Sequence, residues 1–123
     1  MHDEKQPSSD YPISVEPANV RVTVRVDGMI LADCDRALIL REAHLMPVFY
    51  IPLDDISMAE LRISKTRTHC PYKGDASYFS MRSGIRTDVA WSYAAPFDQV
   101  RAIKDHLAFY PDRVDAIETA PRE

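Results

Sequence analysis

Alternation is clearest between residues 20 and 26. Val20, Val22, Val24 and Val26 are separated by Arg21, Thr23 and Arg25, and a period of two marks a strand with one buried face. Asp27-Gly28 follows, a pair that accepts the positive φ of a two-residue hairpin, so MILADC is predicted as the returning strand. RALILRE and PVFYI are predicted as two further short strands. Met46-Pro47 and Ile51-Pro52 confine the latter to an edge or a short pairing, because proline lacks the ladder donor. DDISMAELRIS shows neither period and is read as a loop with one helical turn. ASYFSM and TDVAWSY are predicted as strands flanking Ser83-Gly84, a second hairpin signal.

The period changes near the C-terminus. Phe97, Val100, Ile103 and Leu107 fall on one face at helical spacing in PFDQVRAIKDHLAF, with Asp98 at its start and Pro111 beyond its end. This segment predicts an α-helix, and RVDAIE after Pro111-Asp112 a last strand. Residues 1–18 are polar and carry three prolines, which predicts a flexible tail over 1–11 that becomes extended near YPISVEP. The remainder reads as one domain over 12–118 with a short tail at 119–123. The predicted class is mainly β: a compact antiparallel domain with one α-helix near the C-terminus.

Composition narrows the function classes. The chain has 123 residues, 46% apolar and 28% charged, enough for one modest core. A net charge of −4 argues against a nucleic-acid surface, and no apolar run reaches the ~20 residues of a membrane span. The start lacks the charged and apolar regions of a secretory signal. Cys34 and Cys70 therefore read as reduced thiols of a cytoplasmic protein.

The densest chemistry lies in THCPYKGDASYFSM, residues 68–81. Cys70 has two readings. Lys73 and His69 would favour its thiolate and make it a nucleophile or redox centre, with Cys34 as a resolving thiol if the fold brings them together. Alternatively, Cys70 is a small packed residue opening a turn shaped by Pro71 and Gly74. Lys73 in a rigid turn beside tyrosines would hold an anionic group as a point charge. Arg36 and Glu42 are six apart on one predicted strand, so they are expected on one face, with Leu38 and Leu40 between them. Tyr72, Tyr78, Trp91 and Tyr93 would join them as an aromatic wall if the 76–81 and 87–93 strands pair.

The segments LADCDRALILRE, VFYIPLDDI, THCPYKGDASYFS, VAWSYAAP and LAFYPDRVDAI occur in an order and spacing that resembles the bacterial and fungal family known as domain of unknown function 427. The resemblance spans roughly residues 12–118. Its pattern falls on Arg36, Glu42, Tyr50, Pro52, Asp55, Cys70, Pro71, Lys73, Gly74, Tyr78, Trp91, Tyr93, Pro96, Tyr110, Pro111 and Asp112. It implies a fold similar to the β-tent, two sheets meeting at an angle. Many β-tent proteins hold zinc with paired Cys-x-x-Cys knuckles. This chain has none, so no metal and no cofactor is expected. A nucleotidyltransferase label is sometimes attached to the family. Asp33-x-Asp35 with three scattered glycines is weak support for it.

Three functional readings remain open. The leading one is a domain binding a small anionic or polar ligand through Arg36, Glu42, Tyr72, Lys73, Tyr78, Trp91 and Tyr93. The second is an enzyme using Cys70 and Lys73. The third is an interaction module in which an exposed edge near PVFYIP pairs with a second copy as a homodimer.

Overall fold

A computed structural model of the chain describes residues 4–122. The outermost parts of both predicted tails, residues 1–3 and residue 123, lie outside the described residues. Ten strands form two antiparallel sheets. They are β1 (Ile13–Pro17), β2 (Val20–Val26), β3 (Met29–Cys34), β4 (Leu38–Glu42), β5 (Val48–Pro52), β6 (Leu61–Cys70), β7 (Gly74–Met81), β8 (Ala90–Ser92), β9 (His106–Phe109) and β10 (Ala116–Pro121). The larger sheet has the order β1-β4-β5-β9-β8-β7-β6, the smaller β10-β2-β3.

The valine alternation builds the smaller sheet as expected. Val22, Val24 and Val26 are fully buried, while Arg21 and Arg25 face outward and pair with Asp33 and Glu118 on the neighbouring strands. Asp27 and Gly28 both adopt positive φ, 52° and 80°, and close the hairpin with Val26 opposite Met29. β10 runs on to Pro121, which lies opposite Val20, so the last strand takes in part of the segment read from sequence as a tail.

The larger sheet buries both faces. One packs on the smaller sheet through Ile51, Leu61, Met81, Ala90, Leu107 and Phe109. The other gathers Leu40, Tyr50, Ala76, Tyr93 and Ala108 under Val100 and Ile103. The partition follows strand parity: Tyr50 and Ile51, or Ala108 and Leu107, are neighbours that enter opposite cores.

The predicted α-helix is not formed. Asp98–Ile103 is a 3-10 turn broken at Val100 (φ −125°, ψ 27°), Lys104 is extended, Asp105 takes φ 63°, and His106–Phe109 is a strand. The apolar spacing misled because its members serve two cores. Val100 and Ile103 enter one and Leu107 enters the other, which no single helix face would achieve. Strand pairing overrides local propensity here, because β9 alone bridges β5 and β8.

Three other readings are corrected. β5 is not an edge: β4 and β9 flank it, and its prolines merely limit the β9 pairing to Ile51–Leu107 and Pro52–His106. The stretch read as loop contains two 3-10 turns, Leu53–Asp55 and Met58–Glu60, before β6 begins at Leu61. β6 escaped notice because nearly all of it is solvent-exposed, leaving no apolar period to read. The expected turn at Ser83-Gly84 forms, with Gly84 at φ 84° and its N–H bonded to the Met81 carbonyl, and β7 and β8 pair across it, but the second strand starts later than expected, at Ala90.

A tighter turn joins β6 to β7, where Cys70 lies opposite Gly74. Gly74 has φ 117°, and a Cβ there would sit 3.3 Å from the Ala95 carbonyl oxygen. Both conditions select glycine. Gly74→Ala is therefore expected to lower stability by about 2 kcal/mol, read as a reduced urea midpoint at unchanged m-value.

Candidate functional site

The turn after Cys70 sets the direction of Lys73. The Lys73 N–H donates to the Cys70 carbonyl at 3.2 Å, and the Phe97 N–H donates to the Lys73 carbonyl at 3.0 Å. Thus held, the side chain runs inward, and Nζ donates to Oε1 of Glu42 at the end of β4. Both residues are buried, at 8% and 6% exposure. The ammonium also lies 5.9 Å from the Tyr93 ring centroid. Tyr11 Oη donates to the other Glu42 oxygen at 2.6 Å, and its ring stacks on Tyr72 at 4.1 Å between centroids. The Lys5 N–H donates to the Pro71 carbonyl at 2.6 Å, and Gln6 bonds Gln99. Residues 5–11 thus pass over the turn.

This cluster is closed. Both carboxylate oxygens of Glu42 accept bonds, and the lysine charge is already matched. A buried pair of this kind needs both partners, since either alone would be an uncompensated charge away from water. The Tyr11 phenol is pushed up to about 12, chiefly by its bond to Glu42, because a phenolate would face the carboxylate. Lys73 is thus held by Glu42 rather than presented to a cleft.

Of the four aromatics expected together, Tyr78 and Trp91 pair on one sheet face, whereas Tyr72 stacks on Tyr11 and Tyr93 lies beyond β8 next to Lys73. Tyr78 lies opposite Trp91, and Trp91 opposite Ala108. The small Ala108 side chain lets the indole cross β9 and donate from Nε1 to Tyr50 Oη at 3.2 Å. Trp91 packs against Tyr110 at 4.4 Å, Tyr110 stacks over Tyr78 at 6.5 Å, and the Arg113 guanidinium caps Tyr110 at 4.4 Å. Burial pushes the Tyr50 and Tyr93 phenols upward, and Tyr110 to about 12. Lys73 belongs to a separate cluster, with Glu42 and Tyr93.

The other expected groupings also separate. Arg36 precedes β4 rather than lying in it, so the parity that aligned it with Glu42 does not apply. It pairs with Asp55 at 3.1 Å and lines a charged depression with Arg21, Asp33 and Asp35. Cys34 belongs to the core between the sheets, whereas Cys70 packs on the opposite face of the larger sheet. The intervening sheet removes Cys34 as a resolving partner. Burial pushes the Cys34 thiol up. Among the described residues, no group of three or more His, Cys, Asp or Glu side chains is placed to hold a metal ion, and no helix is long and apolar enough to cross a membrane.

The structure also opens a space that side-chain alternation does not predict. Beyond its two pairs with β9, β5 is left without that neighbour, and an apolar cleft of about 310 Å³ opens. Val24 and Ile117 of the smaller sheet form one wall, and Phe49, Ile51, Trp91 and Phe109 of the larger sheet the other. Pro47 and Pro111 lie beside it, with Met46, 83% exposed, near the mouth. Every lining side chain is apolar. Only Trp91 among them was a candidate, because alternation reports that a residue is buried and not that packing stops short of filling the space.

A profile of the family described as domain of unknown function (DUF427), named NTP_transf_9, matches residues 14–120 of the chain. No curated protein matches it.

Two outcomes follow from the closed cluster. Glu42→Gln is expected to cost about 3–5 kcal/mol, and Glu42→Gln combined with Lys73→Met less than the sum of the single changes, both read by urea denaturation. The raised Tyr11 pKa gives the pH dependence its sign. Between about pH 10 and 12 the native state holds the phenolic proton that the unfolded chain has lost, so stability falls as pH rises through that window. The Tyr11→Phe variant is expected to show a shallower fall, measured as urea midpoint against pH.

Proposed function

We propose that this chain, which belongs to the DUF427 family, binds a small, flat, uncharged apolar molecule in the cleft beside Trp91. The observation carrying this reading is a cleft of about 310 Å³ with only apolar walls, left open between two sheets that are otherwise packed. Its volume lies at the small end of ligand sites. Water inside makes few bonds, so an apolar occupant gains by displacing it. Trp91 is held from three sides by Tyr50, Ala108 and Tyr110, so little ordering cost falls on binding. Lys73 lies outside the lining, which moves the ligand from the anionic or polar class expected of a lysine-lined site to a neutral one.

Thiol catalysis draws less support. The Lys73 ammonium that would activate Cys70 is bonded to Glu42, and Cys70 packs against the core. Pairing through the PVFYIP strand also draws less support, because β4 takes one side of β5 and β9 pairs with Ile51 and Pro52 on the other.

Trp91 is the sole tryptophan, so the cleft contains its own reporter. Titration with the neutral probe N-phenyl-1-naphthylamine is expected to quench Trp91 emission saturably, at one probe per chain, by energy transfer. Ile117→Phe, which fills the cleft from the smaller sheet, is expected to weaken the probe at least about tenfold at an unchanged urea midpoint. Linear, non-saturating quenching, or an Ile117→Phe variant that binds as the parent does, would overturn the reading.

A further inference from the structure

The outer end of the β6–β7 hairpin carries a wider depression, about 750 Å³, lined by Arg67, Thr68, His69, Asp75, Ser77 and Phe97 with Ala94 and Ala95. Strand register sets its polar groups in two rows. Arg67 lies opposite Ser77, and Ser77 opposite Ser92, while His69 lies opposite Asp75. These positions have the parity opposite to Ala76 and Tyr78, so they face away from the aromatic wall. His69 Nδ1 and Asp75 Oδ1 are 2.7 Å apart, which fixes the imidazole plane. Phe97 meets that ring edge-on at 6.2 Å between centroids.

Arg67 is held without a counter-charge. Its Nη1 donates to the Ser64 and Thr66 carbonyls, each at 2.7 Å, and it makes no ion pair with the described residues. Arg21, Arg25, Arg36, Arg41 and Arg86 each face a carboxylate, whereas Arg82 and Arg113, like Arg67, bond backbone carbonyls but line no part of this groove. The same bonds occupy outward carbonyls of β6, so this exposed edge is blunted against strand addition. Two bonds through one nitrogen orient the guanidinium while leaving Nε and Nη2 as a donor fork. A fork of that shape fits a carboxylate in two parallel bonds. Among the described residues lining the groove, Asp75 is the one carboxylate, and it bonds His69. β6 otherwise contributes Arg62 and Lys65 and no acidic residue, in a chain of net charge −4. Asp88 approaches the same strand through Thr66 but lies outside the groove lining, so the attraction for an anion is local to Arg67.

We propose that this groove binds a small aromatic carboxylate, with Arg67 taking the carboxylate and Phe97 flanking the ring. Ser77 supplies a hydroxyl beside the anion, while the Thr68 hydroxyl is bonded to Tyr78 at 2.8 Å on the other face; Ala94 and Ala95 leave room for a flat body. The site is separate from the Trp91 cleft and shares no lining residue with it.

The test is amide shift mapping on the full chain with benzoate, acetate (charge without ring) and benzyl alcohol (ring without charge). Benzoate is expected to move the amides of Arg67, His69, Ser77 and Phe97 saturably, with acetate and benzyl alcohol at least about tenfold weaker. Arg67→Met is expected to weaken benzoate about tenfold and Arg67→Lys to recover part of it. The naphthylamine titration of the cleft stays unchanged in both variants, which serves as the folding control and keeps the two sites distinguishable. Phe97→Leu is expected to bring benzoate towards the acetate affinity. Benzoate shifts confined elsewhere, acetate binding as well as benzoate, or parent-like benzoate affinity in the Arg67→Met variant would overturn the proposal.

Discussion

Two residue pairs, Ile51 with Leu107 and Pro52 with His106, join the halves of the seven-stranded sheet. Pro52 has no amide hydrogen to extend the ladder. The strands part beyond this seam, and much of the remaining arrangement follows. Trp91 reaches over Ala108 to Tyr50 and ties the halves through a side chain where the backbone ladder ends. The apolar cleft occupies the space not closed by that reach. Segment 106–109 must be a strand because the seam needs it, so the segment before it shortens to a 3-10 turn that covers the outer core.

The Glu42–Lys73 pair ties the far end of the larger sheet to the β6–β7 turn and to the N-terminal segment. The partners come from opposite halves of the sheet order, β4 next to the edge strand β1 and the turn after the other edge strand, β6. An apolar pair of similar volume would often be as stable. The charged pair is selective as well, because the turn has to deliver an ammonium to the carboxylate. Tyr11 reads the same carboxylate through its hydroxyl, which is why residues beyond the larger sheet's own hydrogen-bond ladder settle against it.

Several residues were legible as important without their partners being legible. Glu42, Lys73, Tyr78, Trp91 and Tyr93 stood out by type and by position in the family pattern. Their expected meeting in one cleft rested on treating Lys73 as solvent-facing, and the clamp of its turn by Phe97 lies 24 positions away in sequence. Arg36 was aligned with Glu42 by a parity that holds only inside a strand, and the strand starts two residues later. Tyr11 carried no signal, because a tyrosine in a polar, proline-bearing segment looks like tail until its carboxylate partner is known. His69 and Asp75 had none as a pair. Six residues apart, they meet only because the Cys70–Gly74 turn sets the register of the hairpin.

The chain alone determined what is local or period-based: the valine strand and its Asp27-Gly28 hairpin, the mainly β class and the turn at Pro71–Gly74. Those follow from backbone sterics and from the alternation of side chains along a strand, which act within a few residues. Tertiary structure decided what depends on long-range pairing: the strand in place of a helix at 106–109, the interior position of β5, the capture of Lys73 by Glu42, and the cleft. Each turns on a partner distant in sequence. For burial alone, Leu107 suits a helix face as well as a strand, and only its pairing with Ile51 of β5 distinguishes the two.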